Sequence, residues 1–422
     1  MIGKGEYQLR LFSLVVGVAS VILFVRIAKY YLTFKGAILG VSIFSLLHSL
    51  IYYSSSLKQY AGDVFFMLLM WWLTIKLKES NFSNRDWWLV GIGGMVGCWF
   101  SYPLAIVMGA LWVELIVKVK REEIFKLSLM TIGWGASILL EYIVVFHNLI
   151  HRSPLPSVWE KYILCFPLSV KQLTFIWKQL FDCPLELQKE VTSILILIGM
   201  VGFMRRGEKF LMLLFSILFS LVGSVLFKYP LRGRLILFLV PIFLILLGKG
   251  CEEVSKGKLG VVFWVVFCFL LINPTRDLMK NFPFQVWYHL EKRRIKMGVK
   301  QGVEYVQKHF KNGDWIYLGC GGYFLFSFYM KVKDFYPQTH IIGRCVEKIE
   351  KEVEKVIQKE RVWLLFLETI YWEKEKEKEF LQKLTPYGKL FDKYTSGKTK
   401  IYLYEFSPTS FIHPPPTTTS PS

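Results

Sequence analysis

Between two apolar stretches the chain reads Tyr52-Tyr53-Ser54-Ser55-Ser56-Leu57-Lys58-Gln59-Tyr60-Ala61-Gly62-Asp63, a run of hydroxyls and rings with one lysine and one carboxylate. A lysine ammonium holds a phosphate as a point charge, and tyrosine rings stack on sugars. Asp63 stands at the mouth of the following apolar run, where a carboxylate is costly unless it is paired or has a task. An interfacial tyrosine belt with a snorkelling lysine is the plainer account of the same residues. Tyr53, Lys58, Gln59, Tyr60 and Asp63 are the first group of candidate binding residues. Arg232 and Arg234, in Tyr229-Pro230-Leu231-Arg232-Gly233-Arg234, form a second cationic group just ahead of a late apolar run. They either clamp an anion or anchor the chain at a headgroup boundary.

The elements that carry these residues follow from composition. Of 422 residues, 53% are hydrophobic and 17% aromatic, which is the composition of an integral membrane protein. A net charge of +20, from 52 Lys and Arg against 32 Asp and Glu, raises the alternative of a nucleic-acid binder. The positions of the charges exclude it, because Lys and Arg fall in short clusters between long apolar runs. Runs long enough to span a bilayer are read at 10–31, 33–52, 61–77, 126–147, 189–204, 209–227, 233–248 and 259–273. The stretch from Trp87 to Val117 is broken by Ser101-Tyr102-Pro103 and reads as two short helices, since proline disfavours helix in the residue before it. The fold class predicted is an α-helical polytopic membrane protein of about ten transmembrane helices with a small C-terminal extracytoplasmic α/β domain.

Orientation follows from the basic residues. Placing 26–36, 75–86, 118–126, 205–209 and 249–258 in the cytoplasm collects sixteen Lys and Arg there, against four (Lys58, Lys228, Arg232, Arg234) in the short loops of the opposite side. This puts the loop 148–188, everything after 274 and the amino terminus outside. A short polar segment, Met1 to Tyr7, with no preceding span to carry it across is the pattern of a chain that lacks a first transmembrane helix of a larger protein. Cys165 and Cys183 share the outer loop, where a disulfide is possible.

After Asn273 the sequence becomes rich in Lys and Glu, and a domain boundary is expected there, with a soluble domain over 274–407 and a disordered Pro/Thr/Ser tail from 408 to 422. Helices are expected near 291–310, 345–358 and 372–384, and strands at Trp315–Leu318, Val362–Leu367 and Ile401–Phe406. Glu373 to Glu379 reads as a solvated helix face. Gly319-Cys320-Gly321-Gly322 lacks the full dinucleotide-binding spacing and reads as a tight strand-to-helix turn. The outer loop holds His147, His151, Trp159, Lys161, Tyr162, Trp177 and Asp182, a set suited to acceptor or carrier binding on an amphipathic surface helix. Its two histidines have no third ligand at metal spacing, so neither a metal nor a cofactor is expected.

Four stretches in order resemble the polytopic GT-C glycosyltransferases, in the branch of the dolichyl-phosphate-mannose protein mannosyltransferases and their bacterial RgtA/B/C/D-like relatives. Gly5-Glu6-Tyr7-Gln8-Leu9-Arg10-Leu11-Phe12-Ser13 with Gly17 looks like that family's entry to its second span. Tyr52 to Asp63 is similar to its outer-loop motif, with Ser56 where many members carry Glu. Tyr229 to Arg234 resembles the motif before a late span, and Asp314-Trp315-Ile316-Tyr317 with Arg361-Val362-Trp363-Leu364 resembles the family's terminal α/β portion. The resemblance covers most of the chain from 5 to 407.

It implies inverting transfer of a sugar from a polyprenyl-phosphate carrier to a glycan, lipid or protein acceptor at the outer face of a bacterial plasma membrane. Lys58, Arg232 and Arg234 would hold the phosphate, with Tyr53, Gln59 and Tyr60 positioning the donor. Membrane lipids are the remaining partner, and nucleic acid is not one. In that family the general base is an acid on the first outer loop, for which this chain has no matching residue, so the catalytic base is unassigned. Asp63 either substitutes for it or orients Lys58 or a helix end; Glu141 fits helix pairing better. The rival reading is a non-catalytic carrier-binding protein, or a flippase or transporter for lipid-linked glycans. A transporter calls for internal repeats and polar mid-membrane helices, and the sequence shows no repeat.

Overall fold

The computed structural model describes residues 6–56, 58–146, 162–166, 168–205, 210–256, 260–280, 298–319, 322–337, 340–343, 349–368 and 374–406. The chain divides into two compact units, Met1–Lys280 and Asn281–Ser422. Composition shifts at Asn273, but the helix carrying the last apolar run continues through Pro274 to Lys280. The expected tail lies outside the described residues, as do His147, His151, Trp159 and Lys161.

The first unit is helical: α1 (Glu6–Tyr31), α2 (Phe34–Leu46), α3 (His48–Ser54), α4 (Tyr60–Glu79), α5 (Asn84–Cys98), α6 (Leu104–Lys118), α7 (Ile124–Glu141), α8 (Val170–Leu180), α9 (Lys189–Met204), α10 (Leu211–Phe227), α11 (Val240–Val254) and α12 (Gly260–Lys280). Among the described residues five helical stretches are long and apolar enough to cross a membrane, or up to seven when each of two bent pairs counts as one span. The ten spans expected from sequence are therefore not reached by length. Helices α5 and α6 have 15 residues each and α10 has 17, about 22–26 Å of helix against a hydrocarbon core of about 30 Å.

One expected span is broken. The run 33–52 bends by 53° between α2 and α3, where Leu47 is extended, and the Ser49 hydroxyl ties α3 to the Pro184 carbonyl at 2.8 Å. The break at Ser101-Tyr102-Pro103 is observed as read, with the Ser101 N–H on the Gly97 carbonyl closing α5. Helix α8 is capped by Ser169, which exchanges hydrogen bonds with Gln172. Cys165 and Cys183, considered for a disulfide, are both free.

Helix α11 is the centre of this unit, and its apolar residues point in every direction, as a helix enclosed by others requires. It approaches α9 backbone to backbone: a Cβ on Gly250 would run into the Leu195 carbonyl, and one on Gly199 into that of Leu246. At the C-terminal end of α11, Lys249 is 1% exposed and bridges Glu252 at 3.2 Å and Glu253 at 2.9 Å. Glu252 also accepts the Thr33 N–H and hydroxyl, at 2.5 and 2.7 Å, which joins the α1–α2 turn to α11.

The second unit is α13 (Val299–His309), β1 (Trp315–Leu318), α14 (Tyr323–Val332), β2 (His340–Ile342), α15 (Ile349–Ile357), β3 (Arg361–Leu367), α16 (Lys374–Leu384), β4 (Gly388–Ser396) and β5 (Thr399–Phe406). The sheet order is β2-β1-β3-β5-β4, parallel over the first three and antiparallel over the last two pairs. Alternate residues of β1, β3 and β5 face opposite ways. Ile316, Leu318, Trp363 and Leu403 pack with α13 and α14, while Tyr317, Leu364, Phe366 and Tyr402 pack with α15 and α16. Both faces being covered, these strands read as continuous apolar runs.

Two expectations are refined in this unit. The turn after β1 is tight: Gly319 donates to the Leu365 carbonyl, and a Cβ on Gly322 would strike Phe326 and Leu367, while Cys320 and Gly321 lie outside the described residues. The acidic-basic run in α16 is not all solvated, since Glu377 is buried, accepting the Tyr402 hydroxyl at 2.6 Å and the Lys400 ammonium at 2.9 Å.

Candidate functional site

The end of α3, the turn that follows it and the first turn of α4 bring the tyrosines together. The Tyr53 and Tyr60 rings meet edge to face at 5.1 Å, and Tyr52 stands against Tyr53 at 5.0 Å. Gln59 is the last residue before α4 and Asp63 lies in its first turn. Asp63 is 5% exposed and sits beside Ser101 in the α5–α6 break, and its Oδ1 has no hydrogen-bond partner among the described residues.

The arginine segment crosses the same end of α4. Its shape is set by the Tyr229 hydroxyl, which donates to the Leu235 carbonyl at 2.6 Å, and by the Leu231 N–H, which donates to the Tyr162 carbonyl at 2.9 Å. Arg232 is extended and Gly233 left-handed with φ +50°, a conformation that glycine adopts without a Cβ penalty. The reversal separates the two arginines. The Arg234 guanidinium lies 5.3 Å from the Tyr60 ring centre, whereas Arg232 lies 4.1 Å over Tyr162.

Three depressions result. Arg232, Tyr162, Phe175, Gln179, Asp182 and Cys183 line a polar cavity of about 420 Å³. An apolar groove of about 360 Å³ is lined by Leu173, Trp177, Leu180, Leu231, Ile236 and Phe243. Helix α8 and the 231–236 segment contribute to both with different residues, Phe175, Gln179 and Arg232 to the polar cavity and Leu173, Trp177, Leu180, Leu231 and Ile236 to the groove. On the other side of the α4 terminus, Lys58 and Gln59 line a cavity of about 350 Å³ with Phe12, Ser13, Trp99, Phe100 and Tyr102.

Of the residues singled out from sequence, Tyr53, Tyr60 and Arg234 form one cluster, Arg232 turns to a separate cavity, and Lys58 with Gln59 line a third surface. Asp63 lies buried close to the last of these, one helical turn from Gln59. Sequence reasoning missed Phe12, Trp99, Phe100 and Tyr102 because each sits in or beside an apolar run and reads as lipid-facing. The signal available for the last three was the helix break at Pro103, which turns the ends of α5 and α6 toward the mouth of α4. Gln179 and Cys183 gave no signal. Among the described residues no three His, Cys, Asp or Glu side chains gather as metal ligands.

No protein-family model matches this sequence, and no curated protein matches it. Among solved structures it is similar to the crystal structure of ArnT from Cupriavidus metallidurans in the apo state. The TM-score is 0.56 and the sequence identity 11%, over 94% of this chain and 84% of that one. The likeness is one of fold, and with several helices of this chain long and apolar enough to span a bilayer it is the architecture of a multi-pass membrane protein.

Proposed function

We propose that the chain is a membrane glycosyltransferase that moves a sugar from a polyprenyl-phosphate carrier to a lipid-linked, cell-surface or protein acceptor at the outer face of a bacterial plasma membrane. The observation that carries this reading is that one helix, α8, and one segment, 231–236, line both a cationic polar cavity and an apolar groove. A lipid phosphate, with a compact anionic head and a long apolar tail, has chemistry that suits both linings. The likeness in fold to ArnT, a GT-C glycosyltransferase, supports it from a separate direction. With it go about ten spans, counting the short helices, and an extracytoplasmic C-terminal unit, as the distribution of Lys and Arg requires.

In this reading Arg232 holds the carrier phosphate, and Arg234 and Lys58 add positive potential on either side of the α4 terminus. The transferred sugar, bonded to that phosphate, lies in the same cavity beside Tyr162, Gln179 and Asp182, and Tyr53, Tyr60 and Gln59 stand on the neighbouring surfaces at the α4 terminus. As the bond from the anomeric carbon to the phosphate oxygen breaks, negative charge grows on the departing phosphate, and fixed guanidinium groups stabilise it more than they stabilise the ground state. The base that takes the acceptor proton is not assigned.

The test is reconstitution in proteoliposomes with a radiolabelled polyprenyl phosphate, followed by transfer assays with polyprenyl-phosphate sugars. Binding weakened in Arg232→Ala, with transfer reduced in parallel, is the expected result. Carrier binding and transfer both intact in Lys58→Ala, Arg232→Ala and Arg234→Ala would overturn the phosphate assignment. Binding without transfer to any acceptor would leave a carrier-binding protein rather than an enzyme.

A further inference from the structure

Helix α14 of the second unit is apolar on both sides. Its inner stripe, Phe326, Tyr329 and Met330, packs into the core against the sheet. Its outer arc carries Phe324 and Leu325, with Lys331 two turns after Phe324 on the same face, while Phe328 between them is partly buried against the core. Phe324 is 84% exposed and Leu325 is exposed as well. A helix of a water-soluble domain keeps polar residues on its outer arc, and an outward phenylalanine next to a leucine calls for an apolar phase outside the domain.

Two observations identify that phase. The first is area. An aromatic side chain buries about 150–250 Å², so Phe324, Leu325 and the edge of Phe328 together fall well short of the roughly 800 Å² per partner that a stable protein interface needs. The second is position in the chain. Residues 281–297 alone separate this unit from membrane helix α12, a stretch that reaches at most about 60 Å when fully extended. Lys331 and the exposed Tyr336, whose hydroxyl reaches the Lys331 carbonyl at 3.5 Å, stand at the C-terminal end of the same helix. Phenylalanine and leucine flanked by tyrosine and lysine is the side-chain set of a lipid headgroup boundary.

We infer that the outer arc of α14 docks on the lipid surface of the membrane that the chain spans, with Phe324 and Leu325 inserted below the headgroups. The inference does not depend on the transferase reading. Its test uses the full chain in lipid nanodiscs, with the seven cysteines replaced and a single environment-sensitive fluorophore on Phe324→Cys or, separately, Leu325→Cys. Both labels are expected to be quenched by nitroxide-bearing lipids, more strongly by a nitroxide near the headgroup than by one at the chain end. A label on Lys378→Cys, at an exposed position of α16, is the reference and is not quenched. Labels at 324 and 325 quenched no more than this reference would overturn the inference. So would blue-shifted emission without lipid quenching, since protein rather than lipid would then cover the arc.

Discussion

Arg232 and Arg234 are separated by a single glycine yet address different rings, Arg232 over Tyr162 at 4.1 Å and Arg234 toward Tyr60 at 5.3 Å. The left-handed Gly233 between them produces the divergence. Two cations that a linear reading would pool as one clamp therefore serve two surfaces, and their substitutions are expected to separate.

Arg232→Ala is expected to weaken binding of a polyprenyl phosphate by about 1.5–3 kcal/mol, the value of a hydrogen bond to a charged group, or roughly tenfold to a hundredfold in Kd. Arg234→Ala leaves the Arg232 cavity in place and is expected to weaken binding less. Gly233→Ala forces an alanine into left-handed backbone at about 1–2 kcal/mol, and should reduce binding although it removes no charge. Equilibrium binding to purified protein in nanodiscs checks all three.

The buried ion cluster makes a stability prediction. Lys249→Met leaves the buried Glu252 without its cation, while Glu253 keeps Lys256, and breaking a buried pair in this way costs about 3–5 kcal/mol. The thermal midpoint in detergent should drop markedly. Adding Glu252→Gln to Lys249→Met should recover part of the loss, because Thr33 still has an acceptor and one uncompensated charge is gone. A double variant no more stable than the single one would show that the cluster does not act as a unit.

Close approach of α9 and α11 predicts that Gly250→Ala destabilises more than an alanine in a helix ordinarily would. The new methyl meets a backbone carbonyl that cannot rotate away, so the helices must separate, at a cost of about 1–3 kcal/mol. Gly135, whose Cβ position is open, is the control: alanine there should be neutral or slightly stabilising in the same thermal assay.

Tyr305 gives a pH dependence in the second unit. Its hydroxyl donates to Asp392 at 2.7 Å, and that hydrogen bond, helped by partial burial, pushes its pKa up from 10 to about 12. A raised folded value favours the protonated form. The contribution to stability is complete below pH 10 and disappears as the pH rises toward 12. Unfolding of this unit followed by circular dichroism should therefore show extra alkaline lability between those limits, and Tyr305→Phe should flatten that slope.

What the sequence disclosed follows from how each element is buried. Strands β1, β3 and β5 are covered on both sides, so Trp315–Leu318, Val362–Leu367 and Ile401–Phe406 stood out as apolar runs close to their observed limits. Strand β4 did not, because its side chains mix Lys389, Asp392 and Lys393 with apolar ones and its register shifts between Leu390 and Asp392. Helix α14 was hidden by being apolar all round, which blurs the helical period. The tyrosine cluster was legible because its members are adjacent in sequence. The cavity around Arg232 was not, since its walls come from 162, 175–183 and 232–233, and only folding brings these together.

Strand β4 has a consequence for a protein confined to two dimensions. Anchoring in a bilayer keeps neighbouring copies at a high local concentration, and an open sheet edge is then a standing invitation to pair with the next molecule. Among the described residues β4 pairs only with β5, leaving its other side open. Its bulge bends the backbone out of the line another strand would need, and Lys389 and Lys393 set like charges against an identical edge. The irregularity that concealed this strand in the sequence thus also disfavours pairing of β4 with the β4 edge of a neighbouring copy.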